Sequence, residues 1–140
     1  MIFWAIDPGE AVGWAYLEDG VPKEFKELMI EDFYRFIWAQ PPPERIIMED
    51  YLIRPPQSGG YHHEWGRVPT IQVIGAVKCY AVVNNLPVVL QQPQILVAAS
   101  ARFKMPHPKN KSLPQRNAIS AILHGRWWWY REGAKLMSSN

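Results

Sequence analysis

The 140-residue sequence contains a single cysteine, Cys79, which excludes an internal disulfide and a cysteine-built zinc site. No apolar run approaches the ~20 residues that a membrane-spanning helix needs. The N-terminus has no basic segment ahead of its apolar stretch, so no secretory leader is expected. An intracellular, cytoplasmic protein is the expectation. Acid is scarce in one half only. Residues 1–64 carry 12 acidic and 5 basic side chains, whereas residues 65–140 carry 1 and 10, Glu132 being that single acid. The halves are thus −7 and +9 within an overall charge of +2. A basic half suits a polyanionic partner; pairing of the two halves across one fold accounts for the pattern equally well.

Hydrophobic residues make up 48% of the chain and charged ones 20%, an ordinary balance for a globular protein. The length fits one domain, residues 1–140, with a real core. Internal repeats and low-complexity segments are lacking. Ile2–Ile6 is a short apolar run bounded by Pro8-Gly9, the pattern of a strand buried on both faces. Residues 12–17 predict a second strand, and Glu18-Asp19-Gly20 a turn into a third over 22–29. Phe33, Phe36 and Ile37 recur at helical spacing, predicting a helix over 31–39 that stops at Pro41-Pro42-Pro43. Residues 45–50 form another apolar run ending in carboxylates. Residues 54–67, with paired prolines and glycines, read as a loop.

Residues 70–84 predict a helix that is apolar nearly all round and therefore buried on more than one side. A strand over 86–90 and a helix over 94–103 follow, then a basic, proline-containing loop over 105–111. Ser112 and Gln115 have the spacing of a capping box for the final helix. That helix places Ile119, Ile122 and Leu123 on one stripe and Asn117, Ser120 and His124 on another. Early strands followed by a strand between helices predict an α/β domain with a mixed sheet.

Two strands end alike, in an apolar run and then a carboxylate, at Asp7 and at Glu49. If they are neighbours, both carboxylates meet at one end of the sheet. Mg²⁺ takes oxygen ligands, often one or two carboxylates plus substrate phosphates. Carboxylates also end strands as simple solvated caps.

These residues carry a resemblance. Ile6-Asp7-Pro8-Gly9 with Gly13-Trp14-Ala15 resembles the first motif of the RuvC Holliday junction resolvases and their bacteriophage-encoded relatives. Ile47-Met48-Glu49-Asp50-Tyr51 is similar to their second motif. Gln72 to Val77, continuing through Asn84 to Val88, resembles the family's long helix and next strand. Arg116-Asn117-Ala118-Ile119 with His124-Gly125 sits where the last motif belongs. The resemblance implies an RNase H-like mixed β-sheet flanked by α-helices. It also implies a homodimer and Mg²⁺- or Mn²⁺-dependent cleavage of branched DNA such as four-way junctions, in the host cytoplasm if the protein is phage-encoded. It places metal and catalytic roles on Asp7, Glu49 and position 117.

At position 117 the chain departs from the family, with Asn117 in place of an aspartate. An amide oxygen can ligate a metal but brings no charge. No acid is expected nearby to substitute for it, Glu132 being too far along the helix. Either the natural protein differs here or this copy carries a disabling Asp-to-Asn change. A lysine expected after the fifth strand is also missing, with Leu96 near that position; Lys104, Lys109 and Lys111 are the substitutes within reach.

For DNA contact the candidates are Tyr51, as a base-stacking ring or a packing one, and Arg54, Arg67, Lys104, Lys109 and Lys111, as phosphate contacts or solvated charges. His62 and His63 can touch DNA or metal, or face solvent. His124 either orients toward the metal site or satisfies a core hydrogen bond. Trp127-Trp128-Trp129 point three ways on a helix, which favours packing over one stacking face. The helix over 70–84 is the expected homodimer contact, an internal core helix being the other reading. Two functional alternatives remain: a catalytically inactive branched-DNA-binding protein of the same fold, and an RNase H-fold nuclease acting on RNA or flaps.

Overall fold

The structure, a computed structural model, describes residues 1–51 and 68–139. Five strands form one sheet: β1 (Ile2–Asp7), β2 (Ala11–Glu18), β3 (Val21–Met29), β4 (Arg45–Glu49) and β5 (Val88–Gln91). Their spatial order is β3-β2-β1-β4-β5. The first three strands run antiparallel as a meander, and β1, β4 and β5 run parallel. The helices are α1 (Ile30–Ala39), α2 (Val68–Val83), α3 (Ile95–Phe103) and α4 (Arg116–Trp128). A π-helical turn over Trp129–Gly133 then leads into α5 (Ala134–Ser138).

The chain enters β3 through Asp19 and Gly20, both at positive φ (47° and 79°). A two-residue connection of this kind matches the twist of the strands it joins, and Asp-Gly tolerates both dihedrals. The third strand therefore exists, one residue longer at its start than the sequence predicts.

β1 is central, so both of its faces are buried and its alternation divides two cores. Trp4 and Ile6, with Val12, Trp14, Ile46 and Met48, pack against Phe33 and Ile37 of α1 and Val73, Val77 and Tyr80 of α2. Phe3 and Ala5, with Ala15, Leu17 and Ile47, pack against Ala121, Ile122 and Trp128 on the opposite side. α4 thus covers one face of the sheet while α1 and α2 cover the other.

Two expectations need correction. α2 is not buried on several sides: Val73, Val77, Tyr80 and Ala81 are its buried residues, while Val82 is 78% and Val83 63% exposed. The apolar composition of its outer face is therefore not explained by packing among the described residues. The capping box is not formed either. Gln115, at φ 53°, precedes α4 and gives no side-chain cap, and Ser112 Oγ instead donates to Asn110 Oδ1 at 2.6 Å. The tryptophan run does pack: Trp128 is buried edge-on against Phe3, and Trp129 stacks on the same ring.

Candidate active site

Strand register builds one polar row across the sheet. Asp7 lies opposite Gly13, and Gly13 opposite Glu27. Ile6 pairs with Met48, which sets Asp7 beside Glu49, and Glu49 lies opposite Gln91. The row Glu27, Gly13, Asp7, Glu49, Gln91 faces α4, because side chains two residues apart on a strand share a face and Phe3 and Ala5 already face that helix. Just beyond the apolar core, the sheet therefore presents carboxylates to a helix.

α4 answers with the stripe Asn117, Ser120 and His124. Glu27 Oε1 accepts hydrogen bonds from Asn117 Nδ2 at 2.6 Å and from the Asn117 backbone N–H at 3.3 Å. His124 Nε2 is 2.8 Å from Glu49 Oε2. Gln91 Nε2 donates to the His124 carbonyl at 2.9 Å and lies 3.2 Å from His124 Nδ1. An amide NH₂ only donates, so Nδ1 accepts and Nε2 carries the proton that Glu49 receives. His124 thus holds one oxygen of Glu49, and hydrogen bonds of this kind orient a metal-binding group.

Asp7 keeps a margin of surface on the groove, yet protein encloses its carboxyl closely. Its pKa is pushed up to about 8, by burial first and then by the negative charge of Glu49, with Glu27 adding a smaller push. Ser120 and the Arg116 guanidinium act the other way. Ser120 Oγ is buried and meets no full hydrogen-bond geometry, so its help to Asp7 is that of a nearby dipole.

Asp7, Glu49, Asn117 and Ser120 line a groove of about 700 Å³, together with Arg116, Lys109, His107 and Leu96. Among the described residues no three or more His, Cys, Asp or Glu side chains form a ready-made metal cage. The donor set nonetheless fits one hard cation. Its donors are all oxygens, two carboxylates and an amide, which is the set Mg²⁺ accepts when substrate phosphates complete its shell. A carboxyl held protonated by burial and a like charge is relieved when a cation arrives. The unpartnered Ser120 hydroxyl agrees with a polar occupant.

Of the three lysines considered as substitutes, Lys109 lines the groove, while Lys104 and Lys111 are exposed and do not. Lys104 ends α3 in a left-handed conformation, φ 54°. Tyr51 follows the row, half-buried, its N–H bonded to Asp50 Oδ1 at 2.9 Å. Arg54, Arg67, His62 and His63 lie outside the described residues. Two charged residues were not among the sequence candidates: the cation Arg116, which lines the groove, and the acid Glu27, which bonds Asn117 beside it. The expectation that no acid stands near Asn117 is wrong, because strand pairing brings Glu27 there from 90 residues away. The exposed run around Glu27 gave no signal of this; only the pairing register of β2 and β3 reveals it.

A mixed five-stranded sheet of this order with helices on both faces is the RNase H-like arrangement, here with an acidic row under α4. The chain has, more narrowly, a RuvC-like fold. It superposes on T. thermophilus RuvC in complex with a Holliday junction substrate with a TM-score of 0.61 at 12% identity, over 95% of this chain and 96% of that one. A second Thermus thermophilus RuvC structure aligns with a TM-score of 0.48 at 15% identity, over 96% and 97% of the two chains. No family model matches the sequence, and no curated protein matches it.

Proposed function

We propose that the chain is a structure-selective endodeoxyribonuclease that resolves Holliday junctions and other branched DNA by divalent-metal-dependent phosphodiester hydrolysis. The observation that carries this reading is the juxtaposition of Asp7 and Glu49 in one row of the sheet, on a groove that also holds the cations Arg116 and Lys109. Carboxylates there suit a cation, and cations suit phosphates. Asp7, Glu49 and the Asn117 amide oxygen would hold Mg²⁺ or Mn²⁺. When bound, such a cation supplies Lewis acidity, making water a better nucleophile and offsetting charge on the leaving oxygen.

The remaining work falls to the chain. Arg116 and Lys109 would grip non-bridging phosphate oxygens and orient the diester for in-line attack. His124 would keep Glu49 from turning away. Water then adds to phosphorus as the bond to the 3′ oxygen breaks, leaving a 5′-phosphate and a 3′-hydroxyl. Tyr51, two residues beyond β4, would stack on an unpaired base. Two symmetric cuts call for two copies, and the exposed apolar residues Ile71, Val82 and Val83 of α2 are the contact we assign to that homodimer. Sedimentation of the protein as a monomer at all concentrations would remove the dimer from this reading.

The test is a labelled synthetic four-way junction incubated with the protein in Mg²⁺ or Mn²⁺, beside a linear duplex, an RNA duplex and a flap. Cleavage of the junction that disappears in EDTA and in Asp7→Asn is expected. Preferred cutting of RNA or flaps would overturn the junction assignment. Asn117 supports a second reading, a protein that binds branched DNA without cutting it; tight junction binding with no cleavage in either metal would favour that one.

A further inference from the structure

Glu27 stands where strand pairing, not sequence proximity, supplies a negative charge. An ionised carboxylate has no hydrogen to give. The NH₂ end of the Asn117 amide must therefore face Glu27, at 2.6 Å. Its carbonyl oxygen is then free of Glu27, on a side chain that lines the groove together with Asp7 and Glu49. The same Glu27 oxygen accepts the backbone N–H of Asn117, one of the unpaired donors in the first turn of α4. Glu27 thus caps the first turn of α4, and its charge sits favourably at a helix N-terminus. The contact crosses β2 at Gly13, where a β carbon would overlap the Asn117 carbonyl. Only glycine lets the helix come this close.

We propose that Glu27 is a positioning residue of the metal site: it fixes the Asn117 amide with Oδ1 toward Asp7 and supplies, one residue further back, the negative charge that an aspartate at 117 would carry. The Glu27–Asn117 pair then does with two side chains what one acid does alone. This inference rests on the metal-dependent reading above. It also reverses the meaning of Asn117, which becomes half of a matched pair rather than a lesion. Asn117→Asp alone would press two carboxylates together.

Glu27→Gln separates charge from shape, because glutamine keeps an oxygen for both Asn117 donors. Mn²⁺ binding to the purified full chain without DNA, followed by calorimetry and by the EPR signal of free Mn²⁺, reads the charge directly. Thermal unfolding of the metal-free protein reads the fold. Glu27→Gln is expected to weaken Mn²⁺ binding at least ~10-fold, the range for residues that orient metal ligands, with the metal-free protein still folded. Asn117→Asp is expected to lower the metal-free Tm and to regain it when Mn²⁺ is added. The swapped pair, Glu27→Gln with Asn117→Asp, is expected to return Mn²⁺ affinity to within a few-fold of the starting protein. Unchanged Mn²⁺ binding in Glu27→Gln, or no recovery in the swapped pair, would reduce Glu27 to a helix cap and overturn the proposal. If the starting protein itself binds no Mn²⁺, the metal-dependent reading falls and this one falls with it.

Discussion

The two ends of α4 meet the same sheet on opposite terms. Toward its C-terminus, Gly125 presses on Ala5 and Leu17, and Trp128 fills the space against Phe3. The neighbours there are apolar or aromatic, apart from the Arg45 guanidinium over the Trp128 ring. Toward its N-terminus, Asn117 and Ser120 face Glu27 and Asp7, and His124, past the middle of the helix, continues the same polar stripe to Glu49. Each end achieves close approach with a glycine, on the helix at Gly125 and on the sheet at Gly13. The apolar end gains stability from burial. The polar end crowds like charges and leaves a buried hydroxyl unpartnered, which lowers stability. One helix therefore anchors a strained site with a core a few turns away, the division expected where function is set against packing.

The contrast can be broken hardest at the apolar end. Trp128→Ala empties a buried aromatic site and is expected to cost about 3–5 kcal/mol, read as a fall in the urea midpoint with no selective change in Mn²⁺ binding. Gly13→Ala attacks the polar end. Its new methyl meets backbone rather than a movable side chain, so α4 must shift, at a cost of about 1–3 kcal/mol. Junction cleavage should be lost under conditions where unfolding curves show the variant still folded. Retained cleavage would mean that the start of α4 can move without harm to the site.

How much of this was readable in the sequence follows from which interactions are local. Ile2–Asp7 and Arg45–Glu49 announce themselves because buried central strands are apolar on both faces, and their terminal carboxylates marked Asp7 and Glu49. The Asp19-Gly20 turn was equally legible, since few dipeptides tolerate two positive φ values. Glu27 was not legible: it lies in an edge strand of mixed charge, and its partner is 90 residues distant. The capping box failed for the same reason. α4 begins at Arg116, beyond the span of the local motif, and a long-range carboxylate caps its first turn at the Asn117 N–H. Burial of α2 was overread, because an exposed apolar face looks in sequence like a buried one.

Removing the Asp7 charge acts with the opposite sign, and it isolates what the polar end gives up. Asp7 has a folded-state pKa of about 8 against an ordinary 3.8. Between those values the folded metal-free protein keeps a proton that the unfolded chain has released, so folding takes up protons. Stability from this group is fully present below about pH 4 and is lost as pH rises toward about 8, with a slope of at most ~1.4 kcal/mol per pH unit. Asp7→Asn removes the titrating group while keeping the size of the side chain. In EDTA the variant should match the starting protein near pH 4 and unfold at a higher denaturant concentration near pH 8. Adding Mn²⁺ should stabilise the starting protein at pH 8 and leave the variant nearly unmoved, since the cation supplies the positive charge the carboxylate lacks. Parallel pH profiles for the two proteins in EDTA would mean that Asp7 is ionised at little cost, and the contrast between the ends of α4 would then rest on Glu27 and Glu49 alone.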